Sequence, residues 1–322
     1  MQLEQIRGPV ADDLRRVDQT IVESLASDIV LVNQISQYIV GSGGKRLRPL
    51  SVVLAARACG HRGDKHIAAA AIIEFIHTAT LLHDDVVDGS DMRRGRETAN
   101  SVFGNEASVL VGDYLYSRAF QMMVALGDMR IQEVMANATN TIAEGEVLQL
   151  MNAHDPDTTE ERYLEVIYRK TARLFEAGAQ VAAIVSAAGP EVEQAMITYG
   201  RHLGAAFQLV DDALDYTATA EELGKNLGDD LAEGKPTLPL IYAMAHSSIE
   251  DTARLRIAVE NGGLEDLEQI TRTIESSGGL EYTARLARRE KDLAVEALGR
   301  LPASAFRDSL SALAEFAVAR TY

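Results

Sequence analysis

Apolar residues recur at helical spacing along almost the whole chain, and short polar or glycine-rich breaks divide them into segments. The first such stretch runs from Val10 to Leu25, and the second from about Ile29 to Val40. Asp64 to Asp88 reads as one long helix, Ala-rich in its first half and apolar nearly all round, which predicts a central, buried position. Further helical patterns cover Glu106 to Leu126, Arg130 to Asn152, Thr158 to Ala188 and Glu191 to Tyr216. From Pro239 the pattern continues to Tyr322, broken by Gly-Gly pairs at 262–263 and 278–279. No repeat, heptad seam or strand series is visible. The predicted fold class is therefore all-α, a large helical bundle, with residues 1–322 as a single domain.

Two breaks carry more than turn chemistry. Residues 41–49 read GSGGKRLRP, where glycines end one helix and Lys45, Arg46 and Arg48 crowd the start of the next. Free amides at a helix start together with three cations predict an anion site. It is not a Walker A loop, because that spacing is absent and no strand precedes it. Residues 217–239 read TATAEELGKNLGDDLAEGKPTLP, too long for a bare helix connection. A long polar loop of this kind suits a lid, with Lys225 and Lys235 available to an anionic ligand, although a solvated loop explains either lysine alone.

The chemistry concentrates at the end of the long apolar helix. Leu81 to Thr98 reads LLHDDVVDGSDMRRGRET. Asp84 and Asp88 stand one helical turn apart on one face, with Asp85 turned aside. Like charges that close repel unless a cation lies between them, and an oxygen-only donor set suits magnesium. Arg93, Arg94 and Arg96 follow, and guanidinium forks match phosphate geometry. An Asp-rich helix end alone is more often a solvated face. A second copy changes the balance: Phe207 to Tyr216 reads FQLVDDALDY, with Asp211, Asp212 and Asp215 at the same spacing. Glu74 and His77 form one E-x-x-H, the half-motif of a di-iron bundle, but no other histidine has Glu three residues before it, so that reading falls. Glu144 and Glu146 stand equally well as supports of a metal site or as solvated residues.

Composition narrows the remaining classes. The chain has 322 residues and a formal net charge of −17, which argues against non-specific nucleic-acid binding. An anionic substrate must then be drawn in by local cations and metal. The single cysteine, Cys59, excludes an internal disulfide and fits a reducing, cytoplasmic setting. The N-terminus MQLEQIRGPVADDLRR is polar and acidic, so no secretory signal is expected, and no apolar run is expected to span a membrane.

GGKRLRP, LLHDDVVDGSDMRRG, FQLVDDALDY and GKPTLP, in this order from about Gly43 to Pro239, resemble the trans-isoprenyl diphosphate synthases, or polyprenyl synthetases. The short first Asp motif and the small residues before it are similar to the long-chain, octaprenyl-type branch. The resemblance implies a bundle of antiparallel helices around a deep central cavity, a homodimer, and head-to-tail condensation of isopentenyl diphosphate onto an allylic diphosphate. It implies that Asp84 and Asp88 bind two magnesium ions from one wall and Asp211 a third from the facing wall. Asp85, Asp212 and Asp215 would orient waters and ligands. Arg93, Lys170, Thr171, Gln208 and Lys225 would hold the allylic diphosphate, and Lys235 would belong to the closing loop. Lys45, Arg48, His77 and Arg94 would hold isopentenyl diphosphate, with Arg46 at that pocket's border. The membrane-seeking product admits transient membrane association.

Product length is expected to be set along the helix that carries Asp84. Ala79 lies five positions before it, about 7.5 Å deeper at the helical rise, where a small side chain lets a growing tail pass. Met123 or Met135 would form the floor, with plain core packing as the simpler alternative. The rivals are a shorter-chain synthase, a class I terpene cyclase, which lacks the GGKRLRP site, and a non-catalytic synthase subunit, in which the Asp motifs would be degraded.

Overall fold

The computed structural model describes residues 2–41, 43–217, 228–264 and 266–319. In chain order the helices are α1 (Leu3–Arg7), α2 (Ala11–Ser24), α3 (Val30–Gly41), α4 (Leu47–Ala58), α5 (Lys65–Val87), α6 (Ala99–Phe103), α7 (Asn105–Leu126) and α8 (Met129–Asn152). Then come α9 (Glu160–Ile167), α10 (Arg173–Val185), α11 (Pro190–Leu214), α12 (Asp229–Ala232), α13 (Leu238–His246), α14 (Ile249–Asn261), α15 (Leu267–Ser277), α16 (Gly279–Ala297) and α17 (Ala305–Val318). Several starts are fixed by side-chain caps. Asp128 accepts from the Arg130 amide, Thr159 from Arg162, and Ser304 from Arg307, each satisfying an amide that the helix itself leaves unpaired.

The apolar pattern correctly places α5 at the centre. Ile67, Ala69 to Ile73, Phe75, Ile76, Ala79 and Leu82 are all buried, and α4, α2, α7 and α10 pack around them. α10 and α11 form the facing layer, with α16 against α11. A smaller apolar cluster holds α13, α14 and α15 together through Leu240, Ala243, Leu255, Val259, Ile270 and Ile274.

Three expectations need correction. The arginine-rich stretch after α5 is not featureless. It forms a two-stranded hairpin, β1 (Met92–Arg93) with β2 (Arg96–Glu97), in which Arg93 pairs with Arg96. The long helix expected over Thr158 to Ala188 is α9 and α10 joined by a π-helical turn, Tyr168–Ala172. Finally, α5 is long and apolar enough to cross a membrane by length and composition, contrary to the reading of the sequence. Of its most apolar window, 72% is buried inside the protein, as a core helix requires.

Candidate active site

One cavity of about 770 Å³ gathers most of the motif residues. Its first wall is the end of α5. His77, Thr80, Leu81, Asp84 and Asp88 line it, as the one-face argument requires. Asp85 is buried and does not line the cavity. Its Oδ1 accepts from Arg93 Nε at 2.7 Å and Nη2 at 2.6 Å, so its contact is with the arginine that itself lines the cavity.

The facing wall is the end of α11. Phe207, Gln208, Asp211 and Asp212 line it. A hydrogen-bond chain ties these residues to α9 and the π turn: Thr171 Oγ1 donates to Gln208 Oε1 at 2.8 Å, Gln208 Nε2 to Asp212 Oδ1 at 2.6 Å, and the Tyr163 hydroxyl to Asp212 Oδ2. Burial, with the Asp230 charge adding to it, pushes the Asp212 carboxyl up to about 8. Asp215 departs from the expectation that it faces ligand. It caps the end of α11, is fully buried and does not line the cavity. Its carbonyl accepts from the Gly228 amide and its Oδ2 from the Asp230 amide, so it anchors the segment that brings Asp229 and Asp230 to the rim.

Two lysines join the walls. Lys170 Nζ lies 3.4 Å from Asp84 Oδ2 and 2.5 Å from Glu146 Oε2. Burial disfavours its charge, but Asp84 and Glu146 hold its pKa above the usual lysine value. Lys235 Nζ lies 2.8 Å from Asp88 Oδ2 and also pairs with Glu233. Lys170 and Thr171 sit in the π turn, which packs closely on α8. A Cβ at Gly145 would come within 2.8 Å of the Arg169 Cβ and the Lys170 amide, so only glycine admits that approach. Lys225 lies outside the described residues.

The third side of the cavity is cationic. Gly44 to Arg48, Glu74, His77 and Arg94 line it. Arg48 Nη1 donates to His77 Nε2 at 3.0 Å. An arginine cannot accept, so His77 carries its proton on Nδ1. Burial first, then Arg48 and Arg94, depress the His77 pKa well below the usual value and keep the ring neutral. Arg48 also lies 4.7 Å from the centroid of the Phe175 ring. Arg46 takes a left-handed conformation and pairs with the buried Glu74 carboxylate. Arg94 donates to the Gly43 carbonyl, and its guanidinium would lie 2.7 Å from a Cβ on Gly44.

Ala79, Met123 and Met135 are fully buried in the core and do not line the cavity, whose α5 wall is Glu74, His77, Thr80, Leu81, Asp84 and Asp88. Motif reading missed Tyr163, Asp229, Asp230 and Glu233. Glu233, two residues before Lys235, was the one with a local signal.

The donor set suits a hard divalent cation. Asp84, Asp88 and Asp211 offer only oxygen, from two walls of one cavity, and two of them already sit beside an ammonium. Among the described residues no three His, Cys, Asp or Glu side chains converge into one cage. The oxygen-only carboxylates suit magnesium, which binds through one or two carboxylates and completes its shell with water and substrate phosphate.

Known proteins are similar to this chain over most or all of its length. A family model described as Polyprenyl synthetase matches residues 29–276. The octaprenyl diphosphate synthase of Escherichia coli (strain K12) is 56% identical over 321 residues, covering 99% of each chain. An all-trans-nonaprenyl-diphosphate synthase (geranyl-diphosphate specific) of Rhodobacter capsulatus is 48% identical over 98% of each. Among solved structures, a polyprenyl synthase from Caulobacter crescentus CB15, complexed with calcium and isoprenyl diphosphate, superposes with a TM-score of 0.96 at 43% identity, covering 99% of this chain and 98% of the other.

Proposed function

The chain belongs to the polyprenyl synthetase family, and from that membership we propose that it condenses isopentenyl diphosphate head-to-tail onto an allylic diphosphate, building octaprenyl diphosphate for a quinone side chain. It is a long-chain trans-prenyltransferase of a family that uses divalent metal ions. The observation that carries the reading is the pair of aspartate walls facing each other across one cavity with a separate cationic side. Two diphosphates need two anion sites, and a terpene cyclase needs one.

In this reading Asp84, Asp88 and Asp211 hold three magnesium ions. When bound, magnesium supplies the positive charge that stabilises the departing diphosphate. Arg93, Lys170, Thr171, Gln208 and Lys225 hold the allylic diphosphate, with Lys235 above it. Thr171 is oriented by Gln208, and Gln208 by Asp212. Lys45, Arg48, Arg94 and the neutral His77 hold isopentenyl diphosphate, and Arg46 acts from behind, fixed on Glu74. Asp85 acts through Arg93, and Asp215 through the segment it anchors. The proton lost on condensation goes to the departing diphosphate. That is consistent with a cavity lined by cations and carboxylates, whose histidine already accepts from Arg48.

The active unit is a single domain over residues 1–322 that works in the cytoplasm as a homodimer. It touches the membrane transiently to release product. Support for the dimer is an exposed apolar face on α7 and α8: Leu110, Phe120, Val124, Val147, Leu150 and Met151. Pure protein incubated with farnesyl and isopentenyl diphosphates should yield a C40 product. No elongation in the presence of magnesium would refute the reading. A C45 product would favour the nonaprenyl alternative, which the 48% identity to the Rhodobacter capsulatus enzyme keeps in view.

A further inference from the structure

The two cavity lysines are held in the same way. Lys170 lies between Asp84 and Glu146, and Lys235 between Asp88 and Glu233. In each case one carboxylate comes from the α5 motif and the other from outside both motifs. We infer that Glu146 and Glu233 are positioning residues, each keeping its lysine at the cavity wall when a divalent cation takes the motif aspartate. The inference rests on the proposed function only in assigning those lysines to diphosphate.

These contacts are built into the fold. Glu146 comes from α8, and reaches Lys170 because the π turn lies against Gly145. Glu233 and Lys235 are two residues apart, a spacing that does not face on a helix. They meet because the chain leaves α12 and turns at Gly234, whose φ is +67°. Both glutamates and both lysines line the cavity.

The physical argument is competition. Asp84 and Asp88 each present the same carboxylate lone pairs to an ammonium and to a divalent ion. A lysine whose only partner is the aspartate must either block the metal or, once displaced, swing free on a flexible four-carbon stem. A second carboxylate removes both difficulties. It draws the ammonium off the aspartate, easing metal entry, and it fixes the ammonium where a phosphate oxygen will arrive. An ammonium has three protons, enough for the glutamate and a phosphate together.

The test is a double-mutant cycle on the full chain, with two readouts. Binding of magnesium alone is measured by calorimetry. The KM for farnesyl diphosphate is measured separately from kcat. Glu146→Gln should weaken magnesium binding about tenfold, the size of effect seen for groups that orient metal-site residues, and raise the KM for farnesyl diphosphate more than it lowers kcat. In a Lys170→Met background the same change should cost nothing further, because Glu146 acts through Lys170. Glu146→Asp should restore part of the loss. Equal cost in both backgrounds, or no cost in either, would overturn the inference. If circular dichroism shows Glu146→Gln unfolded, the cycle of Glu233→Gln with Lys235→Met decides the question with the same expected and overturning results. Failure of the wild type to elongate farnesyl diphosphate would instead count against the proposed function, and the magnesium cycle would still be read.

Discussion

At the scale of single residues, identical letters in the two aspartate motifs do different work. Asp84 lines the cavity, whereas Asp215, at the last position of the second motif, is buried and ties down the 228–230 segment. The first is expected to act in the transition state and the second in stability. Asp84→Ala should lower kcat at least about a thousandfold, roughly 4 kcal/mol of lost charge stabilisation, in a steady-state assay at saturating magnesium. Near-normal turnover would remove Asp84 from the metal site. Asp215→Ala removes the buried carboxylate that accepts from the Asp230 amide, a loss of about 0.5–1.5 kcal/mol that denaturant unfolding would detect. The cationic side offers a separate test. Arg48, with His77 and Phe175 packed on it, should serve isopentenyl diphosphate. Arg48→Ala is expected to raise the KM for that substrate well beyond its effect on farnesyl diphosphate. Equal effects would mean that the two anion sites are not separate.

At the scale of elements, what was legible followed from periodicity and what was hidden did not. The 3.6-residue pattern located α5, α7, α8 and α11 to within a residue or two, because each buries a stripe or a whole surface. The same geometry correctly put Asp84 and Asp88 on one face and Asp85 aside. It failed for Asp215, the third carboxylate of the second motif, which is buried at the cap of α11 and spends its Oδ2 on the Asp230 amide. The π turn at Tyr168–Ala172 leaves no mark in composition, since it is a shift of hydrogen-bond register, and two-residue strands are too short to alternate. Tyr163 was invisible because its partner is a distant side chain, and Glu233 showed only as a neighbour of Lys235, since their contact depends on a glycine turn. α5 itself carries the length prediction. Ala79 is fully buried and does not line the cavity, so a product tail passing there must displace core side chains. Ala79→Tyr should therefore shorten the products to about three or four isoprene units, while overpacking costs about 1–3 kcal/mol of stability. Full-length product at the normal rate would show that the tail takes another path.

At the scale of the whole molecule, the apolar face on α7 and α8 stands against an otherwise strongly acidic chain. Leu110 is 67% exposed, Val124 63% and Met151 69%, in a protein of net charge −17. Large exposed apolar patches mark interaction surfaces, and a shared face repeated by a two-fold axis buries itself twice. Its position also bears on the site. α7 packs along α5, and α8 supplies Glu146 and the seat of the π turn, so a partner on this face would brace the two helices behind Asp84 and Lys170. The expectation is that the protein sediments as a dimer at micromolar concentration and that its Tm rises with protein concentration, because association stabilises only the folded chain. Leu110→Arg combined with Phe120→Asp places charges on the face at two exposed positions. The double variant should sediment near the single-chain mass of 34.9 kDa, keep its helical circular dichroism, and lose the concentration dependence of Tm. Its turnover should fall with its dimer content if the brace matters to the site. A wild type that sediments as a single chain would remove the dimer. A monomeric variant with full turnover would leave the dimer standing but separate it from the chemistry.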